Sequence, residues 1–175
     1  CSSAYKVLYF IRRNVYSSHS DVLKSLYISL VRSKLLYCSQ LWSPSCLKDV
    51  TRIETIQRRM TCFLVSSPHR LNYRDRLIDL QLLPLMYHHD LRDVLFIIKC
   101  LLSPPDNFDI LQYVSFSTHG SRTSTGKLKV NFQRTSTMHH FYFNCVVRLW
   151  NTISSHCLDL TLTYGTIKRW LYAHF

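Results

Sequence analysis

The stretch Leu47-Lys48-Asp49-Val50-Thr51-Arg52-Ile53-Glu54-Thr55-Ile56-Gln57-Arg58-Arg59-Met60-Thr61-Cys62-Phe63-Leu64-Val65 decides the fold class. Val50, Ile53, Ile56, Met60, Phe63 and Leu64 recur at the spacing of one face of an α-helix. Arg52, Arg58 and Arg59 fall off that face, and the seven-residue step from Arg52 to Arg59 puts them on nearly one line of the helix. Glu54, the only Glu in the chain, stands four residues before Arg58, where an i,i+4 ion pair is favourable. Gln57 interrupts the apolar stripe. A buried amide must find hydrogen-bond partners, so Gln57 is expected to tie this helix to a neighbouring backbone.

Upstream, Val22, Leu23, Leu26, Tyr27, Leu30 and Val31 form a two-residue-wide stripe of helical period, predicting a helix from Ser20 to Trp42 that stops at Ser43-Pro44. Downstream, Ser66 to Arg70 reads as a linker, Tyr73 to Leu80 as a short helix, and Pro84 as the first turn of a long one. That helix carries Leu91, Val94, Leu95, Ile98, Leu101 and Leu102, with Phe96 and Ile97 making it apolar nearly all round. After Gly126, Leu128, Val130 and Phe132 alternate with Lys129, Asn131 and Gln133, which predicts a strand. Tyr113, Val114 and Phe116 are its expected partner, giving a small β-hairpin near 110–133 across a loop that holds Arg122. A helix from Thr137 to Trp150 presents Met138, Phe141, Tyr142, Cys145 and Leu149, and a last one near Thr166 to Phe175 presents Ile167, Trp170 and Leu171. The expected fold class is mainly α.

A chain of 175 residues suffices for one domain or two small ones. Apolar residues at 47% argue against disorder, and only three glycines argue against a fold built on tight hairpins. Lys plus Arg number 22 against ten acidic residues, a net charge of +12 that points to polyanionic partners, nucleic acid first. Seven cysteines without a C-x-x-C spacing read as reduced thiols of an intracellular protein. No apolar run approaches the ~20 residues of a spanning helix, so no membrane partner is expected. The apolar Val7 to Ile11 runs into Arg12-Arg13 without a cleavage site, and the start at Cys1 reads as a piece of a longer chain.

The chemistry-bearing residues are few. There is no Asp-Asp pair and no phosphate-binding glycine loop, zinc-protease or esterase motif, so no catalytic residues and no cofactor are expected. Cys145 with His156-Cys157, and the doublets His88-His89 and His139-His140, are the nearest thing to a metal set. Adjacent side chains on a helix diverge, so no metal site is expected either. The basic residues are the candidates: Arg52, Arg58 and Arg59 for backbone phosphates, with Arg12, Arg13, Lys24 and Lys34 as helpers. The competing reading makes them the solvated faces of amphipathic helices. Trp42, Trp150 and Trp170 each close an apolar stripe and read as core anchors. The His88-His89 doublet, if it faces nucleic acid, would add positive charge on acidification.

The ordered series of Leu26-Tyr27-Ile28-Ser29-Leu30-Val31-Arg32-Ser33-Lys34-Leu35-Leu36-Tyr37-Cys38-Ser39-Gln40-Leu41-Trp42-Ser43-Pro44, Ile53-Glu54-Thr55-Ile56-Gln57-Arg58-Arg59-Met60-Thr61, Tyr73-Arg74-Asp75-Arg76-Leu77, Leu82-Leu83-Pro84-Leu85-Met86-Tyr87, Ser121-Arg122-Thr123 and Phe141 to Asn151 spans nearly the whole chain. It resembles the region just downstream of the polymerase palm in non-LTR (LINE-type) retrotransposon reverse transcriptases. The resemblance implies a helical thumb-like subdomain over 1–65 and a helical C-terminal region over 66–175. A thumb of that family grips the primer/template duplex, while the catalytic aspartates of the RNA-directed DNA polymerase belong to the palm, outside this chain. His88-His89 replaces a basic pair of many relatives, and Ile153-Ser154 a Leu-Pro.

The resemblance thus implies a noncatalytic fragment binding an RNA/DNA hybrid or duplex, partnered by the missing palm and fingers, in a nuclear or cytoplasmic ribonucleoprotein. A helical protein-interaction scaffold of the polyprotein and an inactive translated relic are the competing readings.

Overall fold

The computed structural model describes residues 1–15, 19–65, 71–106, 108–117, 126–132, 134–154 and 164–174. The linker at 66–70, Arg122 with its loop at 118–125, and His156-Cys157 lie outside the described residues. The chain is mainly helical and forms two compact units, Cys1–His89 and Asp90–Phe175.

The first unit opens with α1 (Ser2–Asn14), to which the sequence reading assigns no helix. Its Ala4, Leu8 and Ile11 are buried at steps of four and three, so the segment gains a core face only by folding as a helix. Next come α2 (Ser20–Leu26), a π-helical turn (Tyr27–Arg32) and α3 (Ser33–Leu36). Leu23, Tyr27, Val31 and Leu35 are buried at four-residue steps. In a regular α-helix each such step drifts by about 40°. The wider π turn takes up that drift and keeps the four in line. The expected run to Ser43-Pro44 breaks instead after Leu36, where Tyr37 is extended and Cys38, with a φ of 49°, is left-handed, so neither can continue a helix. A single turn, α4 (Ser39–Trp42), follows. Trp42 is half exposed and no core anchor; its indole N–H donates to the Tyr37 carbonyl at 2.7 Å.

Helix α5 (Leu47–Leu64) is the predicted helix, burying Ile53, Ile56, Met60 and Leu64. Gln57 is fully buried with them and makes the expected tie, donating from Nε2 to the Leu83 carbonyl at 2.9 Å. It also accepts the Tyr27 hydroxyl at 2.7 Å and donates to the Tyr73 hydroxyl at 3.3 Å. Tyr73 opens α6 (Tyr73–Asp79) and donates its own hydroxyl to Glu54. The other Glu54 oxygen accepts the Leu85 N–H at 3.0 Å, where α7 (Leu85–Leu102) begins. The expected Glu54–Arg58 pair is therefore replaced. A carboxylate that meets two donors, one of them at a helix N-terminus, is better held there than by an exposed guanidinium.

These ties carry the first unit past Val65, the sequence-based boundary, to His89. His88 and His89 are buried, and neither meets solvent as the acidification reading requires. His89 must donate from Nε2 to the Leu35 carbonyl at 3.1 Å, since a carbonyl only accepts, leaving Nδ1 to accept from Ser43 Oγ at 3.1 Å. Arg32 donates to His88 Nε2 at 3.2 Å, because a guanidinium cannot accept.

In the second unit α7 continues with Leu91, Val94, Leu95, Ile97 and Ile98 all buried. The predicted hairpin is absent among the described residues: Ile110–Gln112 is a 3-10 turn, and Phe116 and Leu128 form one isolated antiparallel bridge. The pairing stops there because Val130 and Phe132 are exposed and have no core to face. Leu128 is instead held from a helix, with Asn151 Oδ1 accepting its N–H at 2.8 Å and Nδ2 donating to its carbonyl at 2.9 Å. The side-chain amide thus stands in for a neighbouring strand. The helix predicted from Thr137 splits into α8 (Ser136–His139) and α9 (Tyr142–Ser154). Its core face is Val146, Val147 and Trp150, while Met138 and Phe141 are exposed. Trp150 is the expected anchor, its indole N–H reaching the Gly126 carbonyl at 2.9 Å. Helix α10 (Tyr164–His174) buries Ile167 and Leu171 as predicted.

Asp93 is buried on α7, and its Oδ1 has no hydrogen-bond partner among the described residues. Burial pushes its carboxyl up to about 7, with the charge of Asp90 adding and that of Arg92 opposing.

Two stability measurements check this architecture. Tyr27→Phe, which strips the buried Gln57 Oε1 of its donor, is expected to cost about 1–3 kcal/mol in urea unfolding; an unchanged midpoint would refute the role of that bond. Asp93 supplies a pH test. Its native carboxyl keeps a proton to about pH 7 whereas the free side chain releases it at 3.8. The native state therefore binds more protons in that window, and the Asp93 contribution to stability is lost as pH rises through it. Asp93→Asn should be more stable than wild type at about pH 8, by about 1–3 kcal/mol, with the gap narrowing as pH falls below about 7 and closing only toward 3.8. A gap constant with pH would contradict this reading of Asp93.

Candidate nucleic-acid interface

Helix α5 buries Ile53, Ile56 and Met60, so Arg52, Arg58 and Arg59 on its remaining surface are exposed. Beside it, α1 presents Tyr5, Tyr9 and Arg12, spaced i, i+4 and i+7 along the edge of its own buried stripe. The two edges interlock. The Arg59 guanidinium lies 5.1 Å from the centroid of the Tyr5 ring, and its Nη1 donates to the Tyr9 hydroxyl at 2.7 Å. Arg12 lies 5.3 Å from the centroid of the Phe63 ring. Arg58 lies 4.6 Å from that of Tyr73.

These contacts are cation–π interactions, worth roughly 0.5–1 kcal/mol each where exposed. Their structural effect matters more here. An arginine held by a ring face loses conformational freedom before any ligand arrives, yet keeps N–H donors for a bidentate partner. Arg12, Arg58 and Arg59 with Cys62 and Phe63 line one open concavity of about 370 Å³. Among the described residues no carboxylate lines it. Glu54, the nearest acidic residue in sequence, is turned to Tyr73 and the Leu85 N–H. Burial and the Glu54 carboxylate push the Tyr73 hydroxyl far above its ordinary value, so it stays a neutral donor.

The structure thus brings together three of the seven sequence-derived candidates. Arg52 is exposed two turns before Arg59 on α5, and Arg13 is exposed at the end of α1, both outside the lining. Lys24, half-buried on α2, and Lys34, exposed on α3, are likewise outside it. Sequence reasoning does not assign Tyr5, Phe63, Tyr73 and Cys62 to the site. The Tyr5-x3-Tyr9-x2-Arg12 spacing is the signal that finds the α1 edge. Arg76 is a different kind of residue: it is buried and donates to the Leu71 carbonyl at 2.7 Å, a structural role.

The arrangement suits anion binding. A guanidinium holds its proton throughout the physiological range and does not serve as a general base. Among the described residues no group of three or more His, Cys, Asp and Glu is placed to hold a metal ion, and no helix is long and apolar enough to cross a membrane. No protein-family model, curated protein or solved structure matches this chain.

The exposed thiol of Cys62 reports on the local field. Surrounded by three arginines, it should react with an anionic aromatic disulfide faster than exposed Cys46 does, by on the order of tenfold once each rate is normalised to neutral iodoacetamide. Added salt should erase the excess. Equal normalised rates at low salt would show that the arginines create no useful potential.

Proposed function

We propose that this chain is a noncatalytic, nucleic-acid-binding fragment of a non-LTR retrotransposon reverse transcriptase, its first unit acting as the thumb that grips an RNA/DNA hybrid through backbone phosphates. The observation that carries this reading is the set of three guanidiniums lying over aromatic rings around a concavity that, among the described residues, no carboxylate lines. The first compact unit holds thirteen of the 22 Lys and Arg residues against five acidic ones, which supports the same reading. Arg52 extends the contacts along α5, while Arg13, Lys24 and Lys34 add long-range attraction. Phosphate contacts of this kind position a duplex without reading its sequence. The reaction itself belongs to the palm and fingers of the parent RNA-directed DNA polymerase, and the working particle is a nuclear or cytoplasmic ribonucleoprotein.

One observation favours the interaction-scaffold reading instead: Tyr37, Leu41 and Leu47 are exposed over 73%, 87% and 78% of their surface. Such residues suit a protein partner. The two readings separate on salt dependence.

Affinity for an RNA/DNA hybrid should fall with a log-log salt slope of about −4 to −5, for about five phosphate contacts, and be tolerant of sequence. Arg12→Ala, Arg58→Ala and Arg59→Ala should each lower the slope by roughly 1. Arg58 is expected to count fully, because Glu54 is engaged elsewhere. Ile56→Ala is the control, losing about 2–5 kcal/mol of stability so that its binding tracks unfolding. Should the Arg12, Arg59 double variant remain folded with affinity and slope unaltered, the interaction-scaffold reading replaces this one.

A further inference from the structure

The concavity between α1 and α5 carries more positive charge than one backbone phosphate can use. An internal phosphodiester brings a single negative charge, whereas a phosphomonoester brings about −1.5 to −2 near neutral pH and three acceptor oxygens. Three guanidiniums border the concavity, none neutralised by a carboxylate in its lining among the described residues. Each guanidinium is positioned over an aromatic ring: Arg12 over Phe63, Arg58 over Tyr73 and Arg59 over Tyr5. Arg59 spends one donor on Tyr9, which leaves most of its five N–H groups for a ligand. About 370 Å³ accommodates a phosphate together with part of the sugar it is attached to, against the half-buried Phe63 as an apolar wall. Arg52 lies outside the lining, where the internal phosphates of a strand leading into the concavity would run.

We propose that this concavity is a seat for a phosphomonoester dianion, the phosphorylated end of a nucleic-acid strand. The proposal deepens the hybrid-binding reading above and rests on it for the identity of the strand. A free nucleoside monophosphate offers the same chemistry, and the experiment separates the two sources.

The full chain is titrated at about pH 8 with one RNA/DNA hybrid in three forms: 5′-phosphate, 3′-phosphate and no terminal phosphate. A terminal phosphate at one end should tighten binding by about tenfold, the worth of an added charge-assisted contact. Arg12→Gln and Arg59→Gln should each shrink that preference toward unity, and Arg59→Lys, which keeps the charge but loses the planar fork, should restore only part of it. Circular dichroism confirms that each variant is folded. The phosphorylated hybrid should slow alkylation of Cys62 while leaving Cys46 unchanged. Protection of Cys62 by a nucleoside monophosphate alone, at concentrations far below its ionic-strength effect, assigns the seat to free nucleotides as well as strand ends; protection by the hybrid alone assigns it to strand ends. Equal affinity for all three hybrids with Cys62 unprotected overturns the seat, and so does a preference that survives Arg12→Gln and Arg59→Gln. The hybrid-binding reading is judged separately, on the salt slope of the hybrid without a terminal phosphate.

Discussion

The first unit depends on a chain of hydrogen bonds that starts in the buried core at Tyr27 and Gln57, runs through the half-buried Tyr73 and Glu54, and ends on the Leu85 N–H. It joins the π-helical turn, α5, α6 and the start of α7, four segments whose apolar faces alone would leave their mutual register loosely set. Each polar atom in it would be costly to bury unpaired, so the members are satisfied together or not at all. Burial keeps the Tyr27 and Tyr73 hydroxyls protonated, which preserves the donor end of each link.

The same chain shapes the surface. Glu54 is drawn inward by Tyr73 and by the N-terminus of α7, so the one residue spaced to neutralise Arg58 is spent. Arg58 then settles on the outer face of the Tyr73 ring, and Arg59 and Arg12 settle on rings supplied from α1 and α5. A cationic concavity is thereby a by-product of how the core is tied. Guanidiniums placed over rings repel one another less than their number suggests, because each is partly compensated by the negative face of a ring.

The second unit solves a different problem. Its segment around Leu128 has too few apolar residues facing inward to pay for a sheet, and a helix side chain completes its backbone bonds. Trp150 and Asn151, adjacent on α9, grip Gly126 and Leu128. Asp93 Oδ1 on α7 has no such partner among the described residues, and the carboxyl is held toward the neutral form by burial.

Much of the fold was legible in residue order. The helical class, the extent of α5, the tie made by Gln57, the anchoring of Trp150 and the core face of α10 all follow from apolar spacing and from the cost of burying an unpaired amide. Both act within a few residues of chain. The excess of basic residues was equally plain, as was the line of arginines on α5. What tertiary structure decided is which distant group arrives at each polar side chain: Tyr9 at Arg59 across 50 residues, Leu85 at Glu54 across 31, and Leu35 at His89 across 54. Spacing favoured Glu54 with Arg58 and a hairpin near 110–133, and left the His doublet open to either core or surface. Distant partners decided each case, because a group that meets well-placed donors or acceptors away from bulk water is better held than by a solvent-screened contact between neighbours in sequence.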